Sequence, residues 1–373
     1  MNVIVAMDSF KGNMSAREAC ERVRNGILAA RPDTRVVLTP MADGGEGTAE
    51  ALLTARGGEW IEHTVTGPLP DRKVNARYAW FPDQRIALIE MAEASGLTLL
   101  DRSGLNPLKT TTYGTGELMA AALARGAERL ILAVGGSATV DGGVGAAMAL
   151  GWTFLDAEGN PAGLGGESLE RIVTIRPPEL PVTVPVEVLC DVDNPLTGEH
   201  GAAAVFGPQK GATPEMVERL DQGLKQLAAV VREELGLDIE HVPGAGAAGG
   251  LSAGAMAFCG AKLVPGIDTV MEASGLNEHL QDADWVISGE GKFDSQSLRG
   301  KVVSGIVRMA KKYAVKVAVI AGSVKVTEDE CRTHGVEIAL PTAPADTPME
   351  VALKTAKEDL ESTACQFAEE FLA

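Results

Sequence analysis

The stretch Val3-Ile4-Val5-Ala6-Met7 is a short, β-branched apolar run, typical of a buried strand in a parallel sheet. A polar loop follows it, and Ser15-Ala16-Arg17-Glu18 then has the pattern of a capping box, which predicts a helix to about residue 30. Residues 35–39 predict a second strand, and residues 46–55 predict a second helix. This βαβ succession predicts a parallel sheet whose faces are covered by helices.

Further along the chain the pattern changes near residue 64 and returns near residue 285. Turn residues at 66–70 precede segments 74–81 and 86–91, which alternate like antiparallel strands. Further strands are predicted at 130–134, 184–189, 286–287, 315–320 and 338–340, and further helices at 117–125, 216–235, 302–313 and the C-terminus. With 373 residues, the chain exceeds what one hydrophobic core normally serves. We therefore predict an α/β protein with a βα domain formed by both chain ends, residues 1–65 plus 281–373, and an inserted mixed α/β domain, residues 66–280.

Composition and charge exclude several classes of protein. A content of 45% apolar residues with 43 glycines argues against disorder and suits tight strand-to-helix turns. The net charge of −18 disfavours nucleic acid or an anionic membrane as a partner. No apolar stretch approaches the roughly 18 residues of a membrane span, and residues 3–7 are too short for a signal peptide. Five isolated cysteines predict neither disulfides nor a zinc site, so we expect a soluble, cytoplasmic protein.

Ligands in open α/β sheets bind beyond the carboxyl ends of the strands, where five polar loops of this chain are predicted. In the first, Asp8-Ser9-Phe10-Lys11-Gly12, the lysine could hold a phosphate or carboxylate near a helix N-terminus. In the second, Ala42-Asp43-Gly44-Gly45-Glu46-Gly47-Thr48, Asp43 could hold a metal or polarise a hydroxyl. Each has a simpler alternative, a solvated turn for the first loop and a helix cap for the second.

The third loop, Val134-Gly135-Gly136-Ser137-Ala138-Thr139-Val140-Asp141-Gly142-Gly143, could hold phosphates through backbone N–H groups. It is not a P-loop, because G-x-x-x-x-G-K-[ST] does not occur in the chain. The fourth, Cys190-Asp191-Val192-Asp193-Asn194-Pro195-Leu196, could supply a cation ligand or a general base, or could be a plain turn. The fifth, residues 288–297, concentrates Glu290, Lys292 and Asp294, with Lys301 just beyond.

Two other motifs are weaker. Gly244-Ala245-Gly246-Ala247-Ala248-Gly249 fits a dinucleotide fingerprint, but no clear strand precedes it, so we predict a tightly packed helix of small residues instead. Asp191-Val192-Asp193 resembles the nucleophile motif of haloacid-dehalogenase-type phosphatases, although Pro195 departs from that pattern. No Ser-His-Asp set can be assembled. Carboxylates, lysines and glycine-rich loops instead favour phosphoryl transfer with an Asp base and Mg²⁺.

The five loops, together with Val205-Phe206-Gly207-Pro208-Gln209-Lys210-Gly211, resemble in their order the bacterial type-1 glycerate kinase family over nearly the whole chain. The resemblance implies transfer of the γ-phosphate of ATP to D-glycerate, with 2-phosphoglycerate and ADP as products. It also implies a Rossmann-like domain formed by the chain ends, an inserted domain, an active site in the cleft between them, and a role in glyoxylate, glucarate or galactarate breakdown. The oligomeric state stays open, with a homodimer as one option.

Site roles follow from the resemblance and from the loop chemistry together. Asp191 is the expected general base, with Lys11 and Asp43 as further catalytic residues. The expected substrate-binding residues are Asp8, Ser9, Lys11, Glu46, Asn194 and Lys301, and the expected Mg²⁺ ligands are Asp193, Glu290 and Asp294. The expected ATP-binding residues are Gly135, Gly136, Ser137, Ala138, Thr139, Asp141, Gly142, Gly143 and Lys210.

Two functions from other classes remain as alternatives. A phosphatase built on Asp191 and Asp193 would hydrolyse phosphoesters without ATP. A non-catalytic nucleotide or sugar-acid binding protein would bind its ligand without turnover. Phosphate release without ATP would favour the first alternative, and saturable binding without a product would favour the second.

Overall fold

The computed structural model describes residues 1–10, 13–42, 44–45, 47–295, 297–298, 302–344 and 347–372. The chain divides into two compact units. The first unit contains Met1–Asp43, Glu50–Gly57 and Ile267–Ala373, and the second contains Gly44–Ala49 and Gly58–Gly266. Residues 59–65 therefore lie in the second unit, because they form a strand of its sheet, and residues 267–280 lie in the first.

The strands follow one another along the described residues in this order: β1 (Asn2–Met7), β2 (Arg35–Leu38), β3 (Glu59–Thr66), β4 (Lys73–Phe81), β5 (Ile86–Glu90), β6 (Arg129–Ala133), β7 (Thr153–Leu155), β8 (Thr174–Arg176), β9 (Val186–Leu189), β10 (Lys262–Val264), β11 (Trp285–Gly289), β12 (Lys292–Phe293), β13 (Lys316–Ala321), β14 (Ser323–Val324) and β15 (Ile338–Pro341). Short 3₁₀ helices occur at Leu97–Leu99, Arg102–Gly104, Gly166–Arg171, Pro208–Lys210 and Leu280–Asp282.

The α-helices are α1 (Ala16–Ala30), α2 (Thr48–Arg56), α3 (Ala92–Ser95), α4 (Tyr113–Arg125), α5 (Val144–Ala149), α6 (Ala202–Phe206), α7 (Pro214–Leu235), α8 (Ala247–Cys259), α9 (Gly266–Ser274), α10 (Leu276–His279), α11 (Val302–Lys312), α12 (Glu328–Thr333) and α13 (Met349–Phe371). None of the helices in the described part of the chain is both long enough and apolar enough to cross a membrane.

The first unit is built on a five-stranded parallel sheet in the order β15-β13-β11-β1-β2. Its two faces are covered by different helices. Ala318 and Ile320 of β13 belong to the core cluster that includes residues of α1 and α13, whereas Val319 packs with Val303 of α11 and Cys331 of α12. A parallel sheet with helices on both faces is the Rossmann-like arrangement that we expected.

The capping box predicted before α1 forms only in part. Ser15 caps the helix, since its Oγ accepts a hydrogen bond from the backbone N–H of Glu18 at 3.2 Å. The Glu18 carboxylate forms an ion pair with Lys357 of α13, at 2.7 Å between Oε1 and Nζ. Helix α1 therefore begins where the sequence predicts, and its first turn is also tied to the last helix.

The second unit is built on a six-stranded mixed sheet in the order β10-β9-β6-β5-β4-β3. The four strands β10, β9, β6 and β5 are parallel, and β4 is antiparallel to both β5 and β3. Because parallel strands end at one edge of a sheet, the residues that follow β5, β6 and β9 lie along the same edge. This carboxyl edge carries the third and fourth loops.

One prediction for this sheet was wrong, and one of its strands was not predicted. The sequence predicted antiparallel strands of alternating exposure at 86–91, but β5 is buried at every residue and pairs parallel with β6. A strand inside such a sheet is covered on both faces, so its sequence need not alternate. Strand β3 was not predicted, since Glu-Trp-Ile-Glu-His-Thr-Val-Thr lacks an apolar run. It is an edge strand, and its polar side chains are largely exposed.

Candidate active site

The predicted site loops fall into two groups. The first and fifth loops follow β1 and β11, which are neighbours in the sheet of the first unit. The third and fourth loops follow β6 and β9, which are neighbours in the sheet of the second unit, and the second loop from Gly44 onward belongs to that unit as well. Four predicted site residues, Lys11, Asp43, Glu46 and Lys301, lie outside the described residues.

In the first unit, Asp8 and Glu290 directly follow the paired last residues of the adjacent strands β1 and β11. The backbone N–H of Asp8 donates to the carbonyl of Gly289 at 2.8 Å. The N–H of Ser9 donates to Asp8 Oδ1 at 2.6 Å, so this carboxylate stabilises the start of its own loop. Asp294 lies further along the fifth loop, where its Oδ2 forms an ion pair with Lys292 Nζ at 2.8 Å.

The residues predicted to bind Mg²⁺ belong to both units. Asp193 belongs to the second unit, whereas Glu290 and Asp294 belong to the first, and the charge of Asp294 is compensated by Lys292. Within the described ranges, no three His, Cys, Asp or Glu side chains are placed to share a metal ion. Asp193, Glu290 and Asp294 stay predictions as Mg²⁺ ligands.

In the second unit, Asp191 follows β9 and is exposed. Its Oδ1 accepts a hydrogen bond from the backbone N–H of Gly266, the first residue of α9, at 2.9 Å. Gly44 of the second loop packs against the end of β9 and the start of α9. A Cβ added to Gly44 would be 3.0 Å from the Leu189 Cβ and 2.7 Å from the Gly266 Cα. A helix N-terminus stabilises negative charge, so this carboxylate is both fixed in position and accessible.

The rest of the fourth loop is held by hydrogen bonds. The side-chain amide of Asn194 donates to the carbonyl of His200 at 2.9 Å, and the carbonyl of Asn194 accepts from the N–H of Gly246 at 2.9 Å. Asp193 is exposed. Hydrogen bonds of Asn194 thus hold this loop in place, and Asp191 and Asp193 in the same loop are both exposed.

Glu90 was missed at the sequence level. It ends β5, is 7% exposed, and its Oε1 accepts the N–H of Ala49 in the first turn of α2 at 2.8 Å. The only sequence signal was one carboxylate at the end of the apolar run Ile-Ala-Leu-Ile-Glu. Such a residue is easily interpreted as nothing more than the end of a strand. Glu90 ties the start of α2, which follows the second loop, to the carboxyl edge of the sheet that also carries Asp191.

The third loop has an outer and an inner part. The outer segment, residues 135–137, contains a half-buried Gly135, an exposed Gly136 and Ser137 at 7% exposure. In the inner part, the N–H of Gly142 donates to the carbonyl of Gly249 at 3.0 Å and the N–H of Gly143 donates to Asp141 Oδ1 at 3.1 Å. The amides of Gly142 and Gly143 are therefore already used within the protein.

Asp141 is fully buried and acts as an internal acceptor. Its Oδ2 accepts from the N–H of Thr112 at 2.7 Å, from the Thr112 hydroxyl at 2.9 Å and from the Thr111 hydroxyl at 3.3 Å. Burial raises the pKa of this carboxyl, and the hydrogen bonds from Thr112 and Gly143 oppose that rise. Its contacts tie the third loop to the start of α4.

Lys210 is equally buried, with 1% exposure. Its Nζ donates to Ser137 Oγ at 2.7 Å and to the carbonyl of Thr139 at 2.7 Å. Burial lowers the pKa of Lys210 to about 7 from an ordinary value of 10.5, although the Asp141 carboxylate opposes this shift. Neither Lys210 nor Asp141 has a surface that a bound nucleotide could reach directly.

The lowered pKa of Lys210 predicts that the free energy of unfolding depends on pH. The unfolded chain holds this proton up to about pH 10.5 and the folded protein releases it from about pH 7, so unfolding takes up a proton between these values. Stability should therefore rise with pH through this window and be lowest below it. We expect the difference in unfolding free energy between wild type and Lys210→Met to change by ~2 kcal/mol between pH 7 and pH 9.

Urea denaturation of both proteins at the two pH values measures this change. The matched control is Lys225→Met, since Lys225 lies on the exposed side of α7 and pairs with Asp221. For this control we expect no comparable change over the same range. A wild-type to Lys210→Met difference that stays constant with pH would contradict a depressed pKa at Lys210.

The glycine-rich motif at residues 244–249 also has a defined structure. Residues 244–249 follow no strand directly, since the preceding strand is β9, and they lead into the predicted helix of small residues, α8. Inside α8, Ala248, Gly249 and Gly250 all have positive φ, at 53°, 67° and 87°. This left-handed turn packs on the inner part of the third loop through the bond from Gly142 to Gly249.

Comparison with known proteins agrees with this set of loops. A model of the "Glycerate kinase family" matches residues 3–372. The chain is 46% identical to "Glycerate kinase" of Bacillus subtilis (strain 168), covering 99% of this chain and 97% of the relative. It is 46% identical to "Glycerate 2-kinase" of Escherichia coli (strain K12), covering 90% and 89%.

Among solved structures, the chain is similar to the crystal structure of a Salmonella typhimurium LT2 protein proposed to be glycerate kinase 2. The TM-score is 0.89 at 45% identity, and the match covers 99% of this chain and 97% of the other. The likeness thus extends over both units and all five loops rather than over one shared motif. With residues 3–372 inside the family model, the chain belongs to the glycerate kinase family.

Proposed function

We propose that this protein transfers the γ-phosphate of ATP to D-glycerate, giving 2-phosphoglycerate and ADP. The observation that carries the proposal is the Asp191 carboxylate, exposed at the carboxyl edge of the sheet and fixed by the Gly266 N–H, in a chain of the glycerate kinase family. Phosphoryl transfer needs positioning and charge stabilisation more than covalent chemistry. A fixed, accessible carboxylate is the part that accepts the proton of an attacking hydroxyl.

In the proposed reaction, Asp191 is the general base. As the glycerate hydroxyl oxygen attacks the γ-phosphorus, its proton moves to the Asp191 carboxylate, a new P–O bond forms, and the bond from the γ-phosphorus to the ADP oxygen breaks. One Asp191 oxygen stays engaged with the Gly266 amide, which orients the other.

ATP phosphates are proposed to bind at the outer segment, residues 135–137, because Gly135 and Gly136 are accessible and Ser137 keeps 7% exposure, whereas the inner part is buried. Thr139, Asp141, Gly142, Gly143 and Lys210 then support the loop from within. Asp8, Ser9, Lys11, Asp43, Glu46, Asn194 and Lys301 stay predictions for catalysis or substrate binding. Mg²⁺ is proposed to enter with ATP, since it is usually bound by substrate phosphates and only one or two carboxylates.

The phosphatase alternative makes a different demand on the fourth loop. It needs Asp191 as a nucleophile and Asp193 as its partner, and it needs no ATP. The curated relatives named above are glycerate kinases, and none of the described contacts favours either the phosphatase or a non-catalytic binding protein. The kinase is therefore the function that we propose, in a cytoplasmic enzyme.

ADP formation by the purified protein tests the proposal. With ATP and Mg²⁺ present, we expect ADP formation that depends on D-glycerate, and a background rate without it that is lower by at least about a hundredfold. The same protein incubated with phosphoesters but without ATP should release no phosphate. ADP formation that D-glycerate does not stimulate would overturn the substrate, and phosphate release without ATP would favour the phosphatase.

A further inference from the structure

Lys210 forms a buried contact with the outer segment of the third loop. It ends the 3₁₀ helix Pro208–Lys210, and its Nζ donates to Ser137 Oγ and to the Thr139 carbonyl, both at 2.7 Å. Its hydrogen-bond partners among the described residues are thus a hydroxyl and a carbonyl rather than a carboxylate. Lysine is almost never fully buried without a charged partner, so the position calls for a reason beyond packing.

Holding a loop with a buried ammonium group costs free energy, because the charge loses its hydration. Desolvation penalises its charged form, as the lowered pKa of Lys210 reflects, and a neutral side chain of similar length could fill the same volume. Asp141, the nearby carboxylate, already ties the inner part of the loop to Thr112. Strongly perturbed buried groups are found preferentially at functional sites.

The contact has a consequence for Ser137. A serine hydroxyl has one hydrogen, and since its oxygen accepts a hydrogen bond from Lys210, that hydrogen is available to a second acceptor. An ammonium that donates to a hydroxyl also polarises it and makes it a stronger donor. Ser137 adjoins the exposed Gly136, at the accessible part of the loop.

We propose that Lys210 is a positioning residue for the phosphate donor: it holds and polarises the Ser137 hydroxyl, which donates to a phosphate oxygen of the nucleotide. This inference rests on the proposed function, which puts the ATP phosphates at residues 135–137. It assigns Lys210 an indirect role, in place of the direct phosphate contact that the sequence suggested. Ser137 is the residue that touches the nucleotide.

The test is a double-mutant cycle on the KM for ATP with Ser137→Ala, Lys210→Met and the two combined. At pH 6, where Lys210 carries its proton, each single change should raise the KM for ATP about tenfold or more, because a charge-assisted hydrogen bond is lost. The combined change should match the larger single effect rather than the product of both. The KM for D-glycerate should stay within about threefold, and Ser137→Thr, which keeps the hydroxyl, should retain the wild-type KM for ATP.

Three results would overturn the inference. The first is a Lys210→Met protein with reduced stability and kcat but an unchanged KM for ATP, because Lys210 would then be structural only. The second is multiplicative effects in the double variant, and the third is an unchanged KM for ATP in Ser137→Ala. Lys210→Gln replaces Lys210→Met if the latter does not fold, and Lys225→Met is the control.

The wild-type assay distinguishes failure of the proposed function from failure of the role of Lys210. A wild type without glycerate-dependent ADP formation contradicts that function, whereas an active wild type with unaffected variants contradicts only the role of Lys210. Calorimetric binding of a non-hydrolysable ATP analogue gives the same comparison without turnover. In that format, equal affinities of wild type, Ser137→Ala and Lys210→Met would overturn the inference.

Discussion

Replacing Asp191 with Asn should reduce kcat for glycerate phosphorylation by a factor of about 10²–10⁴ while the affinity for ATP stays near that of wild type. The amide oxygen of Asn can still accept the hydrogen bond from the Gly266 N–H, so the turn and the start of α9 keep their support. What the variant loses is the charge that accepts the proton of the substrate hydroxyl. Steady-state kinetics and calorimetric binding of ATP measure the two quantities.

Asp156→Asn is the matched control for this experiment. Asp156 also holds a turn through backbone amides, since its Oδ1 accepts from the N–H of Glu158 at 3.1 Å and of Asn160 at 2.8 Å, and it belongs to none of the five site loops. We expect this variant to retain wild-type kinetics. If Asp191→Asn did the same, Asp191 would be a helix cap and not the general base.

Gly249→Ala should destabilise the protein by ~3–5 kcal/mol, the largest effect on stability that we expect from adding one methyl group. Gly249 has φ 67°, and a Cβ there would overlap with the carbonyl oxygen of Thr139 and lie 2.7 Å from the Val140 Cα. Both neighbours are backbone, so no rotamer change can relieve the clash. Urea denaturation of the variant measures the loss, and we also expect a lower yield of active protein.

Gly236→Ala separates the backbone strain from the clash. Gly236 caps α7 with φ 70°, nearly the same conformation, but a Cβ there would meet nothing within 4 Å. The left-handed conformation alone should cost this variant ~1 kcal/mol. Equal losses in both variants would show that the contact between the left-handed turn of α8 and the third loop adds nothing to stability.

The central elements of the fold follow from local sequence patterns. Residues 3–7 predict β1 because a strand buried on both faces is uniformly apolar, and Ser15 predicts the start of α1 because its hydroxyl caps the helix. The same local patterns do not predict strand β3, because an exposed edge strand carries charged residues. It is formed by its pairing with β4, a contact that no local pattern encodes.

The site is predictable only in part, for a comparable reason. Loop chemistry predicts Asp191 as the base, which stays a prediction, and the residue is exposed two positions beyond the end of β9. The glycine run of the third loop predicts N–H groups for phosphate, but not that Gly142 and Gly143 already donate within the protein. The burial of Lys210 is also not predictable from the sequence. Lysine is ordinarily exposed, and its hydrogen-bond partners Ser137 and Thr139 are distant in sequence.

The central claim, phosphoryl transfer to glycerate, is tested most directly by the structure of the product. Purified protein, ATP, Mg²⁺ and D-glycerate are incubated together, and the product is analysed by phosphorus-coupled proton NMR. We predict a new phosphate ester whose phosphorus couples to the single proton on carbon 2 of glycerate. Coupling to the two protons on carbon 3 would contradict the proposed regiochemistry, and the absence of any phosphorylated glycerate would contradict the claim itself.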